Sequence, residues 1–259
     1  MINRRTFIGT LGGVGMLAAA GAGTTAESRR IFVLENYYLK NGTQPGRMHE
    51  YIGKAAIPAL SRVHSGPKIF LEALVASHMP QVAILLGFQS SDELRSVHSK
   101  MMADEELKKA FDAWENHPEP PYEHYSSSLL EATAYCPEVK ADATPRPTPR
   151  VFELRTYHSP TWRQLAALHE RFAGPEIKIF HRSGVHPILY TSTLIGPNMP
   201  NLTYLIPFEN LAEREKAWAA FGADPEWVKV RAESIEKHGQ ISSVINMSLY
   251  RATPYSPIR

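Results

Sequence analysis

Apolar and polar residues alternate along residues 150–158, and this two-residue period predicts a β-strand. Between residues 161 and 183 the apolar side chains instead recur every three or four positions, which predicts a helix interrupted at Gly174-Pro175. Residues 186–195 and 201–208 are two apolar, β-branched and aromatic runs separated by a Gly- and Pro-containing segment. They predict a hairpin.

Two helical segments and a final strand complete this pattern. Asn210 can cap a helix through Phe221, and Asp224-Pro225 can cap and open a second helical segment to about Lys237. Residues 240–251 then predict a strand. The order strand, helix, strand, strand, helix, strand (βαββαβ) builds a ferredoxin-like α+β unit, in which helices cover one face of a four-stranded antiparallel sheet.

The same order occurs earlier in the chain, displaced by a constant 120 residues. The corresponding pairs include Ile31 and Val151, His49 and His169, Pro67 and Pro187, Met79 and Met199, Phe88 and Phe208, and Asp104 and Asp224. The predicted elements of the first copy lie at about 30–38, 47–64, 68–78, 81–88, 91–116 and 122–134. A constant offset over this length indicates duplication of one structural unit.

The duplication predicts how the two copies pack. Each ferredoxin-like unit leaves one face of its sheet bare, and two units packed sheet to sheet would bury both faces in a dimeric α/β-barrel made by one chain. Residues 137–149 contain four prolines and little apolar sequence, so they predict an extended linker. We therefore predict a first unit over residues 27–136 and a second over residues 150–259.

Three segments of the second copy carry a family likeness. They are the strand Val151–Tyr157, the hairpin with Gly196 and residues 201–205, and the Trp-containing helical stretch 217–227. In this order they resemble the NIPSNAP family of the dimeric α/β-barrel superfamily. Residues 31–134 match more loosely. The resemblance implies a fold, and it supplies neither a settled reaction nor a set of catalytic residues.

The N-terminal residues have the layout of an export signal. Arg4 and Arg5 precede a weakly apolar, Gly-rich stretch that ends in small residues near Ala22. This layout predicts a twin-arginine signal peptide over residues 1–26, cleaved after Ala22 or Ala26. We expect a periplasmic or extracellular protein without a membrane span after processing, because the apolar stretch is too short to cross a bilayer stably.

Composition limits the partners. The chain has 28 basic and 26 acidic side chains, and loss of residues 1–26 would leave the two signs equal. This balance gives no reason to expect nucleic acid or an anionic membrane as a partner. The single cysteine, Cys136, cannot form an internal disulfide. Fusion of two halves permits a monomer and does not forbid a homodimer.

A polar face on the first strand of each copy is the main candidate site. Glu153, Arg155 and Tyr157 share one face, while Phe152 and Leu154 share the other. If the apolar pair packs on the helices, the polar face points into the barrel. The predicted ligand-binding barrel lining comprises Glu35, Tyr37, Glu153, Arg155, Tyr157, His186 and Tyr190. The alternative is a structural Glu–Arg pair that satisfies itself.

A second group of polar residues lies where the first helix of the second copy turns into its second strand. His186, with His181, Arg182 and Tyr190 nearby in sequence, could act as an acid or base or hold an anion. The alternative is a set of surface loop residues.

Metal and cofactor motifs are absent from the sequence. None of the eleven histidines forms an i, i+4 pair on a convincing helix face, so we predict no metal. No cofactor is predicted either. The resemblance leaves haem open, because related barrels bind it through one histidine, which no spacing rule reveals.

The sequence therefore supports two functional hypotheses. The first is an exported NIPSNAP-type barrel that binds a small apolar or amphipathic molecule or a protein partner, without catalysis. The alternative is an enzyme of the cofactor-poor monooxygenase or isomerase kind that acts in the barrel cavity, with Arg155, Tyr157, His186 and Tyr190 as its working residues.

Overall fold

The computed structural model describes residues 30–144 and 146–259, so the predicted signal peptide lies outside the described residues. The strands are β1 (Ile31–Tyr38), β2 (Lys68–Val75), β3 (Gln81–Phe88), β4 (His124–Ala132), β5 (Val151–His158), β6 (Leu189–Ile195), β7 (Asn201–Phe208) and β8 (Val244–Ala252). The α-helices are α1 (Gln44–Tyr51), α2 (Ile57–Val63), α3 (Ser91–Met102), α4 (Glu105–Glu115), α5 (Trp162–Arg171), α6 (Ile177–Arg182), α7 (Leu211–Ala223) and α8 (Pro225–His238). No helix within these ranges is long and apolar enough to cross a membrane.

The helices differ from the predicted ones in two places. A π-helical turn divides the first helical region of each half, at Ile52–Ala56 and at Phe172–Glu176. The single helix predicted over residues 91–116 is two helices, α3 and α4. Asp104 separates them because its carboxylate accepts the backbone N–H of Leu107 at 2.9 Å and caps α4.

The eight strands form one closed antiparallel barrel in the order β1-β3-β2-β8-β5-β7-β6-β4. This arrangement confirms the predicted fold class. The two halves pair their strands in the same register. Ile31 lies opposite Phe88 where β1 meets β3, and Val151 lies opposite Phe208 where β5 meets β7.

The barrel closes by hydrogen bonding between the edges of the two four-stranded sheets. β2 pairs with β8 from Leu71 opposite Ala252 to Val75 opposite Leu249. β4 pairs with β6 up to Ala132 opposite Thr191. The sheets thus face each other, as predicted, and both junctions also satisfy edge strands that would otherwise be exposed.

A short tail after each half fastens the junction to the other half. Thr133, just after β4, donates its backbone N–H to the carbonyl of Tyr190 on β6 at 3.0 Å. Tyr190 in turn donates its N–H to the Cys136 thiol at 3.4 Å. The tail after β8 repeats these contacts. Thr253 donates its backbone N–H to the carbonyl of Phe70 on β2, and Phe70 donates its N–H to the hydroxyl of Ser256. The backbone of each tail is therefore held by a strand of the opposite half.

A tyrosine in each tail extends this attachment to a helix. The hydroxyl of Tyr255 lies 2.7 Å from Nδ1 of His49 on α1, and that of Tyr135 lies 2.7 Å from Nδ1 of His169 on α5. Each pair joins residues from different halves. The recurring sequence Thr-x-Tyr-(Cys/Ser)-Pro at residues 133–137 and 253–257 accounts for this repetition.

Three apolar cores result. One lies between the first sheet and α1–α4 and is centred on Tyr37, Met48 and Phe70. The second lies between the other sheet and α5–α8, around Phe172 and Phe180. The third fills one end of the barrel interior.

Candidate ligand cavity in the barrel

The inner face of the barrel changes from apolar to polar along its axis. Inward side chains alternate along each strand. On β1 they are Phe32 and Leu34, which belong to the barrel core, and then Asn36. β5 repeats this order with Phe152, Leu154 and Thr156. Apolar side chains therefore fill one end of the barrel interior, and polar side chains line the other end.

The polar end encloses a cavity of about 500 Å³ that opens where β1 and β5 finish. This volume lies within the usual range for small-molecule pockets. Polar residues of its wall include Asn36, Gln81, Ser126, Thr156, Asn201 and Asn246. None of the described residues that line it carries a charge. Leu34, Leu130 and Leu154 form its apolar floor.

Gln81 organises one side of the cavity. Its Nε2 donates to Oδ1 of Asn36 at 2.9 Å and to the hydroxyl of Tyr250 at 2.8 Å. Burial raises the pKa of Tyr250 to about 12, so its hydroxyl keeps its proton at neutral pH. These contacts join β1, β3 and β8 across the cavity wall.

Asn201 organises the opposite side. Its Oδ1 accepts hydrogen bonds from the hydroxyls of Thr193 at 2.7 Å and Thr203 at 3.2 Å. The hydroxyls of Thr203 and Thr156 lie 3.0 Å apart. Nδ2 of Asn201 donates to the carbonyls of Pro197 and Asn198 in the β6–β7 hairpin. The wall is thus held in place by its own hydrogen bonds.

Aromatic residues and histidines form the rim. Tyr38 stacks on His124 with ring centroids 4.3 Å apart and meets His78 edge-on at 5.3 Å. Farther round, Nδ2 of Asn246 donates to Nε2 of His158 at 3.1 Å. Partial burial lowers the pKa of His158, which favours the neutral imidazole.

The prediction that the Glu153, Arg155 and Tyr157 face lines the barrel is wrong. These side chains lie on the helix side of β5, and it is Phe152 and Leu154 that point into the barrel. The predicted alternation of side chains along β5 is correct, but the face predicted to point into the barrel is the wrong one. Polar helix residues give the buried charges partners on the outer side of the sheet.

The buried carboxylate of Glu153 is paired with three donors. It accepts from Arg155 Nη1 at 2.5 Å, Arg214 Nε at 2.7 Å and Trp218 Nε1 at 2.9 Å. The Arg155 guanidinium also lies 4.4 Å from the Trp218 ring. Arg214 and Trp218 come from α7, so this cluster fastens a helix to the sheet. Its geometry corresponds to the structural alternative.

Glu35 and Tyr37 lie in the matching layer of the first half. Glu35 is buried, and the Tyr37 hydroxyl donates to its carboxyl at 3.3 Å. Burial raises the pKa of Glu35 to about 8, and the Tyr37 hydrogen bond offsets this only in part. The carboxyl is therefore mostly protonated at neutral pH.

The two remaining predicted lining residues also lie outside the barrel. Tyr190 packs against Phe172 on the helix side of β6, with ring centroids 5.8 Å apart. His186 is exposed and stacks on His181 at 5.2 Å. Arg182 instead holds the Asp224 cap through two hydrogen bonds of 2.8 and 2.7 Å. The structure does not bring these residues together around one cavity.

The described residues contain no group of three or more His, Cys, Asp or Glu side chains placed to hold a metal ion. The cavity wall also supplies no histidine among its described lining residues. The wall itself therefore offers no histidine ligand for a haem, and no step below involves one.

Sequence reasoning did not identify the cavity residues because none has a conspicuous charge or ligand motif. One signal was present. The even positions of β1 turn from apolar at Phe32 and Leu34 to polar at Asn36, and β5 makes the same change at Thr156. A change of this kind at the same point of two equivalent strands indicates where the apolar side chains stop filling the barrel.

Replacing Glu35 by Gln should remove a pH-dependent loss of stability. The carboxyl has a pKa near 4.5 in the unfolded chain and about 8 in the fold. Stability should therefore fall by up to about 1.4 kcal/mol per pH unit between these values as pH rises. We expect Glu35→Gln to raise the melting temperature by at least about 3 °C more at pH 8 than at pH 5.

Thermal unfolding of the unmodified protein and of Glu35→Gln, measured between pH 5 and pH 8, tests this prediction. Glu236→Gln, at an exposed position on α8, is the matched control and should run parallel to the unmodified protein. Parallel curves for Glu35→Gln would contradict a buried neutral Glu35.

Three solved structures are similar in fold. A candidate monooxygenase from Fusobacterium nucleatum subsp. nucleatum is 9% identical, with a TM-score of 0.56 over 87% of this chain and 93% of that one. An anthrone oxidase-like protein is 14% identical, with a TM-score of 0.54 over 89% and 94%. A candidate monooxygenase from Lactobacillus acidophilus is 12% identical, with a TM-score of 0.54 over 86% and 94%.

Identities this low establish the fold alone. No curated protein matches the chain. The NIPSNAP family model matches residues 152–257, the part that contains β6, β7 and the helix-bound Glu153 cluster. Residues 152–257 are therefore similar to the NIPSNAP family.

Proposed function

We propose that this protein binds a small, uncharged, amphipathic molecule inside its barrel. The observation that carries the proposal is the cavity of about 500 Å³, with neutral hydrogen-bonding groups towards its mouth and leucines on its floor. A ligand with a polar end and an apolar body would match both regions.

The absence of charge along the described wall favours a neutral ligand. Transfer of an ion from water into a site without an opposite charge carries a large desolvation cost. A hydroxyl, carbonyl or amide group instead finds donors and acceptors in Asn36, Ser126 and Asn246. Ring stacking at Tyr38 and His124 favours a flat group near the mouth.

We further infer that the first half is a second copy of the NIPSNAP-type unit. The equal strand registers at an offset of 120 residues support this. The paired tails at Thr133 and Thr253 support it as well. The twin arginines at Arg4 and Arg5, followed by a short apolar stretch, support export of the protein.

Filling the cavity should weaken binding of a neutral amphipathic dye. Ser126 and Ser248 lie on different strands of the wall, β4 and β8. We expect Ser126→Phe and Ser248→Phe each to weaken Nile red binding, followed by fluorescence, at least about tenfold because a phenyl ring occupies the space.

Ser96→Phe places the same ring at an exposed position on α3 and should bind the dye as the unmodified protein does. Equal binding by all four proteins would locate the dye elsewhere and contradict the proposal.

Replacing both Arg4 and Arg5 by lysine should stop export through the twin-arginine route. The route reads the paired guanidinium side chains, so a charge-conserving change is enough. Cell fractionation and immunoblotting should show precursor of the Arg4→Lys/Arg5→Lys variant in the cytoplasm, while an Arg29→Lys/Arg30→Lys control is exported. Recovery of the Arg4→Lys/Arg5→Lys variant from the periplasm, or no export of the unmodified chain, would contradict the proposal.

A second candidate function is oxidation of a bound ligand by O₂ without a resident cofactor. The observation that favours it is His158, a rim imidazole with a lowered pKa that hydrogen bonds to Asn246 of the wall. If a ligand displaces the Asn246 amide, Nε2 of His158 could take a proton from an activated C–H group of that ligand and so prepare it for O₂. The names of the three similar structures suggest the same chemistry.

Anthrone provides the test, because its conversion to anthraquinone consumes one O₂ and releases one water. If the protein is an oxidase, His158→Gln should lower the O₂ uptake at least about tenfold. His186→Gln, on the outer surface, should leave it unchanged. Uptake no faster than without protein would remove this candidate and leave ligand binding.

A further inference from the structure

A second pocket lies outside the barrel, on the helix side of the second sheet. It has a volume of about 120 Å³ and lies between β5, α5, α8 and the segment that leads into β8. Its wall combines Arg171 and Arg231 with Trp227, Ile241 and Ser242. Two cationic side chains thus meet an apolar surface in a confined space.

Arg171 is held in a fixed orientation. Its Nε donates to the carboxyl of Glu176 at 2.7 Å, and its guanidinium carbon lies 5.0 Å from the centroid of the Trp227 ring. The side chain is only 10% exposed. Because Nε faces Glu176, the two Nη groups remain as donors for another acceptor.

Arg231 adds a second cation. It stands on α8 and has no acidic partner among the described residues. Glu176 is the acid nearest to the first cation, and burial raises the pKa of this carboxyl to about 7, although Arg171 opposes the rise. The pocket therefore has more positive than negative charge at neutral pH.

The first half shows that the fold does not need cations at these positions. The residues 120 positions earlier are Tyr51 for Arg171, Phe111 for Arg231 and Tyr122 for Ser242. Their rings pack together, with Tyr51 and Phe111 6.1 Å apart. Burying charge is costly, and apolar replacements are often at least as stable. This cost applies to Arg171, which is 10% exposed and already pairs with Glu176. Arg231 is exposed, and it places a second cation beside Arg171 that the packing of the first half does not require.

We propose that this pocket binds a small organic carboxylate. Guanidinium groups match the planar geometry of a carboxylate with paired N–H donors. Trp227 and Ile241 offer a surface to a short apolar substituent, which a phosphate or sulfate does not have. The volume corresponds to roughly four water molecules, which suits an acid of a few heavy atoms.

Isothermal titration with sodium acetate, at constant ionic strength set by sodium chloride, tests this site. We expect saturable binding that weakens at least about tenfold in Arg231→Gln. Arg231 is exposed, so this variant should fold normally. Arg163→Gln removes an exposed arginine from α5, away from the pocket, and should bind acetate like the unmodified protein.

Three results would overturn the proposal. These are an absence of acetate binding to the unmodified protein, an equal loss in both variants, and tighter binding of phosphate than of acetate. Nile red binding by Arg231→Gln should not change, because Arg231 does not line the barrel cavity. The two ligand proposals can therefore fail independently.

Discussion

The structure depends on backbone pairing between the edges of its two sheets. A four-stranded sheet with helices on one face has two unsatisfied edges and one bare face, and neither is stable in water alone. Pairing of β2 with β8 and of β4 with β6 removes both problems. The tails after β4 and β8 reinforce the same junctions, since each hydrogen bonds to a strand of the opposite half.

The extent of this pairing also explains the cavity. Pairing between β2 and β8 ends at Val75 and Leu249, so within the described residues Val244–Ser248 pairs with β5 alone. The barrel is therefore tightly closed where its interior is apolar and wider where its interior is polar. Asn36, Thr156 and Asn246 lie at this wide end. Two independent features, strand pairing and side-chain polarity, place a solvent-accessible space at the same end.

Sequence periodicity was sufficient for the order of the strands and for the barrel, because these depend on which side chains share a face. It could not determine which face of β5 turns inward. Glu153 is buried against the helices only because Arg214 and Trp218, some 60 residues later, supply its hydrogen bonds. The sequence shows no link between these residues. Likewise, neutral residues such as Asn36 and Gln81 gain their importance from strand pairing, which a local pattern does not contain.

Amide hydrogen exchange, resolved by residue with NMR, tests the closed barrel most directly. The account predicts that amides directed across the β2–β8 junction, such as those of Glu72 and Arg251, exchange as slowly as those inside the β1–β3 ladder. Amides on the unpaired edge of Val244–Ser248 should exchange much faster. Rapid exchange along the whole junction, with protection confined to each separate sheet, would contradict the closed barrel and the cavity that depends on it.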